Sequence, residues 1–409
     1  MPTDSVFSGL KVLDTASFIA GPAAATMLAD LGAEVIKIEP PGRGDMQRIL
    51  GSIPPNPHAD ANYSWHMANR TKRGVAIDLK SAGGKEILTR LVEWADVVIT
   101  NASHPMREEL HLGYDEVSRW NPRVIYADVT GFGDEGPDAA LPGFDLTAYW
   151  SRSGLLASTR DAGAPPTLPI AGSGDYATAV GLYAAIATGL YHRERTGKGM
   201  SVGTSLLAEG VWSAATLVTG ALAGGTFYGL HDRTAPPNPL WDPYRSSDDR
   251  WFMLVAKPTQ WPSLTKLVGH PELLEDPRFA DPQSMAKNSK ALTAVLEDAF
   301  RSHPLAHWKE QFDQERITYG VIQTPEEAAA DPQLRANDIV VPLHGDDKMK
   351  EILSGPITVR GLSKVPATRA PELGEHNDEV LRELEFSRRE IERYRAQGAI
   401  PGAPEQEAA

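Results

Sequence analysis

Asp175 closes the small-residue run Ala171-Gly-Ser-Gly-Asp175 and stands directly before Tyr176–Leu190, a stretch that reads as a helix. A carboxylate there is well placed to accept backbone N–H bonds as an N-cap. Ser173, in the same run, lacks the spacing of a G-x-S-x-G nucleophile elbow. The chain has no cysteine, which excludes disulfides, thiolate metal sites and a cysteine nucleophile together. Its eleven histidines are scattered, with no cluster at metal-ligand spacing. The first strand-like run, Lys11–Thr15, leads to Gly21-Pro22 rather than to G-x-G-x-x-G, which argues against a dinucleotide site.

These residues need a scaffold, and 409 residues exceed what one hydrophobic core usually serves, so two domains are expected. A hydrophobic share of 41% with 23% charged residues is ordinary for a globular protein. The net charge of −14 argues against nucleic acid as a partner, although a few local Lys and Arg can still hold an anionic ligand. Met1–Leu10 lacks the features of a signal peptide. The most apolar stretch, Leu206–Leu222, is interrupted by Glu209, Ser213 and glycines, so no membrane span is expected and the protein reads as cytoplasmic.

Strand-like runs at Lys11–Thr15, Glu34–Glu39, Val75–Leu79, Asp96–Thr100 and Val124–Val129 alternate with helical stretches at Ala23–Leu31, Ala82–Trp94 and Asp115–Trp120. That alternation predicts a parallel, doubly wound sheet, which binds ligands at the carboxyl ends of its strands. Helix is expected from Tyr176 to Thr196, a strand at Met200–Thr204 and a long helix from Ser205. The stiff loop Ala235-Pro-Pro-Asn-Pro239 follows a change of composition and precedes a smaller α+β region with helices at Gln260–Val268 and Asn288–Phe300. The expected division is 1–222, 223–328 and 329–409, the last returning to the large domain. Glu372–Ala396 reads as an amphipathic helical end and Gly402–Ala409 as a disordered tail.

Several segments, in order along nearly the whole chain, resemble those of family III (CaiB/BaiF-type) CoA-transferases. They include Leu31-Gly-Ala-Glu-Val-Ile-Lys-Ile-Glu39, Gly44-Asp45, Asn69-Arg-Thr-Lys-Arg73, Pro142-Gly-Phe-Asp145, Gly174-Asp175 and Arg195-Thr-Gly-Lys-Gly199. The resemblance implies a Rossmann-like α/β large domain interrupted by a smaller α+β domain, and two chains interlinked as rings in an obligate homodimer. It implies that Asp175 is a nucleophile that carries the acyl group and then CoA, with Gly172 and Gly174 as backbone donors to the oxyanion. No tightly bound cofactor or metal is implied; coenzyme A and acyl-CoA enter as substrates. By position, CoA contacts fall on Ser17, Ala20, Ile77, Lys80 and Asn101, with Arg43, Lys72 and Arg73 as further cations for the phosphates. Glu109 stands where an arginine often meets CoA and Thr130 where some members have lysine, which leaves Arg107 or His104 as substitutes.

Two positions bear on the subclass. Racemases of the family carry histidine where this chain has Phe144, and phenylalanine moves no protons, so CoA transfer is favoured over 2-methylacyl-CoA racemisation. Arg152 lies between Asp145 and Asp175 and is expected to hold the remote carboxylate of a dicarboxylic acyl group such as succinyl-CoA, unless it forms a structural salt bridge.

Overall fold

Six strands separated by helices assemble into one sheet in the computed structural model, which describes residues 5–227 and 229–402. They are β1 (Lys11–Asp14), β2 (Glu34–Glu39), β3 (Arg73–Ala76), β4 (Val97–Thr100), β5 (Ile125–Thr130) and β6 (Met200–Ser205). Every neighbouring pair is parallel, in the order β3-β2-β1-β4-β5-β6. The central strands are apolar on successive residues because helices cover both faces. On one face Val12, Val97, Ile99 and Ile125 pack with Ala24 and Leu28 of α1 (Ala20–Asp30) and with Leu182 and Ile186 of the helix Ser173–Thr196. On the other, Leu13, Ile36, Val98 and Tyr126 meet Ile87, Leu88 and Leu91 of the helix Ala82–Trp94. The winding reverses between β1 and β4, which opens a crevice at their carboxyl ends.

Four local expectations are corrected. The third strand ends at Ala76 rather than Leu79, because its ladder with β2 stops at the pair Glu39–Ala76. The helix expected from Tyr176 begins at Ser173, with Gly172 as its cap in a left-handed conformation (φ 82°), so Asp175 sits in the first turn and is not the N-cap. The long helix from Ser205 is broken at Ala214 into Leu206–Ser213 and Ala215–Leu222. The C-terminal helical stretch is two helices, Asn377–Glu383 and Arg388–Ala396; Glu385 takes φ 66° and Ser387 caps the second by accepting from Glu390 N–H. Beyond Gly402, the tail expected to be disordered lies outside the described residues.

The chain forms two compact units. The first comprises Met1–Leu155, Leu168–Val218 and Pro332–Ala409; the second comprises Leu156–Thr167 and Thr219–Asp331. No shift in composition announced that 156–167 leaves the first unit. Within the first unit, the C-terminal return closes the β3 edge of the sheet. The side chain of Asn377 accepts from Ala76 N–H at 2.7 Å and donates to Ala76 O at 3.1 Å, while Trp65 Nε1 donates to Pro371 O at 3.0 Å and Asp78 N–H to Ala399 O at 2.8 Å. These contacts satisfy backbone groups that an edge strand otherwise exposes. The second unit has an antiparallel sheet of β7 (Trp241–Arg245), β8 (Trp251–Val255) and β9 (Tyr319–Val321) over a core of Phe252, Phe300, Trp308 and Phe312. Among the described residues no helix is long and apolar enough to cross a membrane.

Candidate active site

The loop leaving β1 is fixed residue by residue at the mouth of the crevice. Thr15 N–H donates to Ile99 O at 2.9 Å, and Ala16 N–H donates to Asp14 Oδ1 at 3.1 Å. Ser17 N–H donates to Asn101 Oδ1 at 2.9 Å and Asn101 Nδ2 donates back to Ser17 O at 2.8 Å. Phe18, left-handed at φ 62°, donates its N–H to Asp45 Oδ1 at 3.1 Å. Beneath this loop lies a buried charge network. The Lys37 ammonium is 3.0 Å from Asp45 Oδ2 and also donates to Ala16 O. Burial alone lowers the Lys37 pKa, but Asp14, Asp45 and Glu39 outweigh it and the net shift is upward.

Asp175 lies at the head of the helix Ser173–Thr196, half-buried. Its carboxyl is pushed up to about 7, first by burial and then by the charge of Asp145. That displacement corresponds to about 4 kcal/mol between its protonation states. The group is therefore ionised above about pH 7 and progressively protonated below it. Asp145 is buried and accepts from Gly172 N–H at 2.5 Å and from Gly174 N–H at 3.0 Å. Burial raises its pKa more than those two bonds lower it. A Cβ on Gly174 would stand 2.2 Å from Asp145 Oδ1 and 2.4 Å from Tyr149 Cγ, so only glycine permits this approach. The donors expected to hold a substrate oxyanion are thus already committed to Asp145, and that assignment of Gly172 and Gly174 is corrected.

The expected CoA contacts separate into groups. Ser17, Ala20 and Asn101 meet at the carboxyl ends of β1 and β4, two of them bonded to each other. Ile77 and Lys80 follow β3 on the same side of the sheet; Ile77 is buried, and Lys80 pairs with Glu109 at 2.8 Å. Arg43 is exposed, with no ion pair among the described residues. Lys72 is corrected: it is buried, and its ammonium is taken by Asp14 Oδ2, Pro22 O and Ala68 O at 2.8 Å each and by Asn69 Oδ1 at 3.0 Å. Burial draws its pKa down to about 8 despite Asp14. Arg73 is also corrected. It opens β3, at the opposite end of the strand from the crevice, and pairs with Glu34, Glu379 and Glu383. Arg107 pairs with buried Asp128 at 2.9 Å, and His104 with Asp134 at 3.2 Å. Arg152 binds Asp138 at 2.9 Å, with its guanidinium 5.3 Å from the Phe132 ring centroid. It forms the salt bridge weighed as its alternative role. Sequence reasoning left Asp145, Phe18 and Lys37 without roles, although Asp145 and Lys37 stand in the family-like segments.

The strand order and crevice are those of a doubly wound α/β protein, here with a titratable aspartate at the turn into a helix. The pattern of CoA-transferase family III matches residues 7–377, and the chain belongs to that family. It is therefore a CoA-transferase acting on CoA thioesters. The chain is 32% identical to the (R)-2-hydroxy-4-methylpentanoate CoA-transferase of Clostridioides difficile, over 95% of this chain and 98% of the relative. It is 30% identical to the cinnamoyl-CoA:phenyllactate CoA-transferase of Clostridium sporogenes, over 95% of each. A crystal structure of a CaiB/BaiF family protein from Brucella suis superposes with a TM-score of 0.81 at 29% identity, covering 93% of this chain and 99% of that one.

Proposed function

We propose that Asp175 carries first the acyl group and then CoA between a donor acyl-CoA and an acceptor carboxylic acid. The observation behind this is a half-buried carboxylate pushed up to about 7 by burial and Asp145. Such a group is more basic, and so a stronger nucleophile, than a solvated aspartate, yet ionised in useful amount at neutral pH. A carboxylate oxygen of Asp175 attacks the thioester carbonyl, the C–S bond breaks, and a mixed anhydride and CoA thiolate result. The thiolate attacks the aspartyl carbonyl of that anhydride, releasing the donor acid and leaving an aspartyl-CoA thioester. The acceptor carboxylate displaces the thiolate again to form a second anhydride. The thiolate then takes the acceptor's acyl group and regenerates Asp175. No proton moves in the cycle, and Phe144 beside the site helps exclude water from the anhydrides.

The relatives named above act on carboxylic acids with apolar chains, which supports an acid of that kind as acceptor. For dicarboxylic donors such as succinyl-CoA, the expected anchor Arg152 is paired with Asp138. Turnover in D₂O of a 2-methylacyl-CoA with an acceptor acid is expected to yield the acceptor's thioester with no deuterium at the donor α-carbon. Rapid α-deuteration that needs Asp175 but no acceptor acid would replace transfer by racemisation.

The working form is proposed to be an interlocked homodimer. Large apolar side chains remain exposed on the first unit, among them Trp212 at 79% and Tyr191 at 64%, as expected of a face that a second copy covers. Dilution to nanomolar concentration is expected to leave the dimer intact; a folded monomer there would contradict the interlocking.

A further inference from the structure

Three apolar side chains converge on the turn that carries Asp175. The ring of Phe144, immediately before Asp145, is 57% exposed and meets Phe18 edge-on, with centroids 5.9 Å apart and planes at 83°. Phe18 holds a left-handed backbone that is costly for a residue with a Cβ, yet Asp45 fixes its N–H and Lys37 fixes Asp45. Ile19 follows, itself buried, and a Cβ on Gly172 would lie 2.8 Å from its Cδ1. The exposed Phe144 ring adds little to the core, so folding alone does not account for a strained phenylalanine held against it. The charges around Asp175 point the same way. Burial and Asp145 act on Asp175, and no Lys or Arg among the described residues offsets them. Arg152 is committed to Asp138. An acyl group at Asp175 thus lies beside two aspartates with no Lys or Arg acting on Asp175 itself, and a branched or aromatic chain would cover the exposed Phe144 ring.

We propose that Phe18, Ile19 and Phe144 form an acyl-recognition wall that selects monocarboxylic acids with a branched or aromatic apolar chain over dicarboxylic acids. The proposal rests on the transfer chemistry assigned to Asp175. Phe144 determines specificity, and the buried pair Lys37–Asp45 positions Phe18. The test uses full-length protein with 4-methylpentanoyl-CoA or succinyl-CoA as donor and ¹³C-labelled 4-methylpentanoate or glutarate as acceptor. The wild type is expected to favour 4-methylpentanoate by about 30-fold in kcat/KM. Phe144→Ala is expected to reduce that ratio about tenfold, chiefly through KM for the apolar acid, and Phe144→Arg to move it further towards glutarate. Transfer confined to succinyl-CoA and glutarate would overturn the wall alone, as would equal losses for both acceptors in Phe144→Ala. Transfer that proceeds equally in Asp175→Ala, with no hydroxamate formed on its peptide in the wild type, would remove the chemistry assigned to Asp175 and the wall with it.

Discussion

Asp175→Ala is expected to abolish CoA transfer, with a loss on the order of 10⁴-fold or more, because the neighbouring carboxylate, Asp145, is buried and held by Gly172 and Gly174 N–H. The variant should stay folded: it removes a half-buried carboxyl that is repelled by Asp145 and so relieves a native-state cost. Hydroxylamine added to the wild type during turnover should convert Asp175 to a hydroxamate, seen as a mass change confined to its peptide. Wild-type transfer by Asp175→Ala would dismiss the covalent route.

The second large effect is expected at Asp145. Asp145→Ala leaves Gly172 N–H and Gly174 N–H, both buried, without their acceptor. Each unsatisfied donor costs about 1–3 kcal/mol. The turn carrying Asp175 then loses its anchor, and a nucleophile displaced by about 1 Å costs about 10²-fold in rate. Asp145→Asn separates this mechanical role from the electrostatic one. It keeps an oxygen acceptor but removes the negative charge that helps raise the Asp175 pKa to about 7. Since Asp175 acts when ionised, kcat/KM of the wild type should fall as pH drops below about 7. In Asp145→Asn that acid limb should move to lower pH. A limb left in place would show that the charge of Asp145 is not felt at Asp175.

The alternation of apolar runs and helices made the parallel sheet legible, because strands buried on both faces leave a local signature. The motif drew attention to Asp175, which the structure places in the first turn of its helix, and Ser17 and Asn101 lie together at the crevice. Failures came where a residue's partner is distant in sequence. The cations Lys72 and Arg73 look alike from their neighbours, yet Lys72 is neutralised by Asp14, 58 positions away, and Arg73 by Glu379, 306 positions away. Gly174 seemed a free donor because its acceptor, Asp145, lies 29 residues upstream. Arg152 was weighed between substrate and salt bridge, and its pairing with Asp138 becomes visible only in the structure.

The return of the C-terminal segment to β3 also has a consequence for biosynthesis. The partner of Ala76 is Asn377, 301 residues later, and Trp65 waits for Pro371, 306 residues later. As the ribosome releases the chain from its N-terminus, the first five strands emerge long before the residues that seal the sheet's edge. At about 5–20 residues per second that interval lasts tens of seconds, in which an apolar parallel sheet keeps an unpaired margin. Until then β3 is the margin of the sheet at which the nascent chain can pair with another strand. Truncation before Asn377 would leave β3 as an unpaired, aggregation-prone edge.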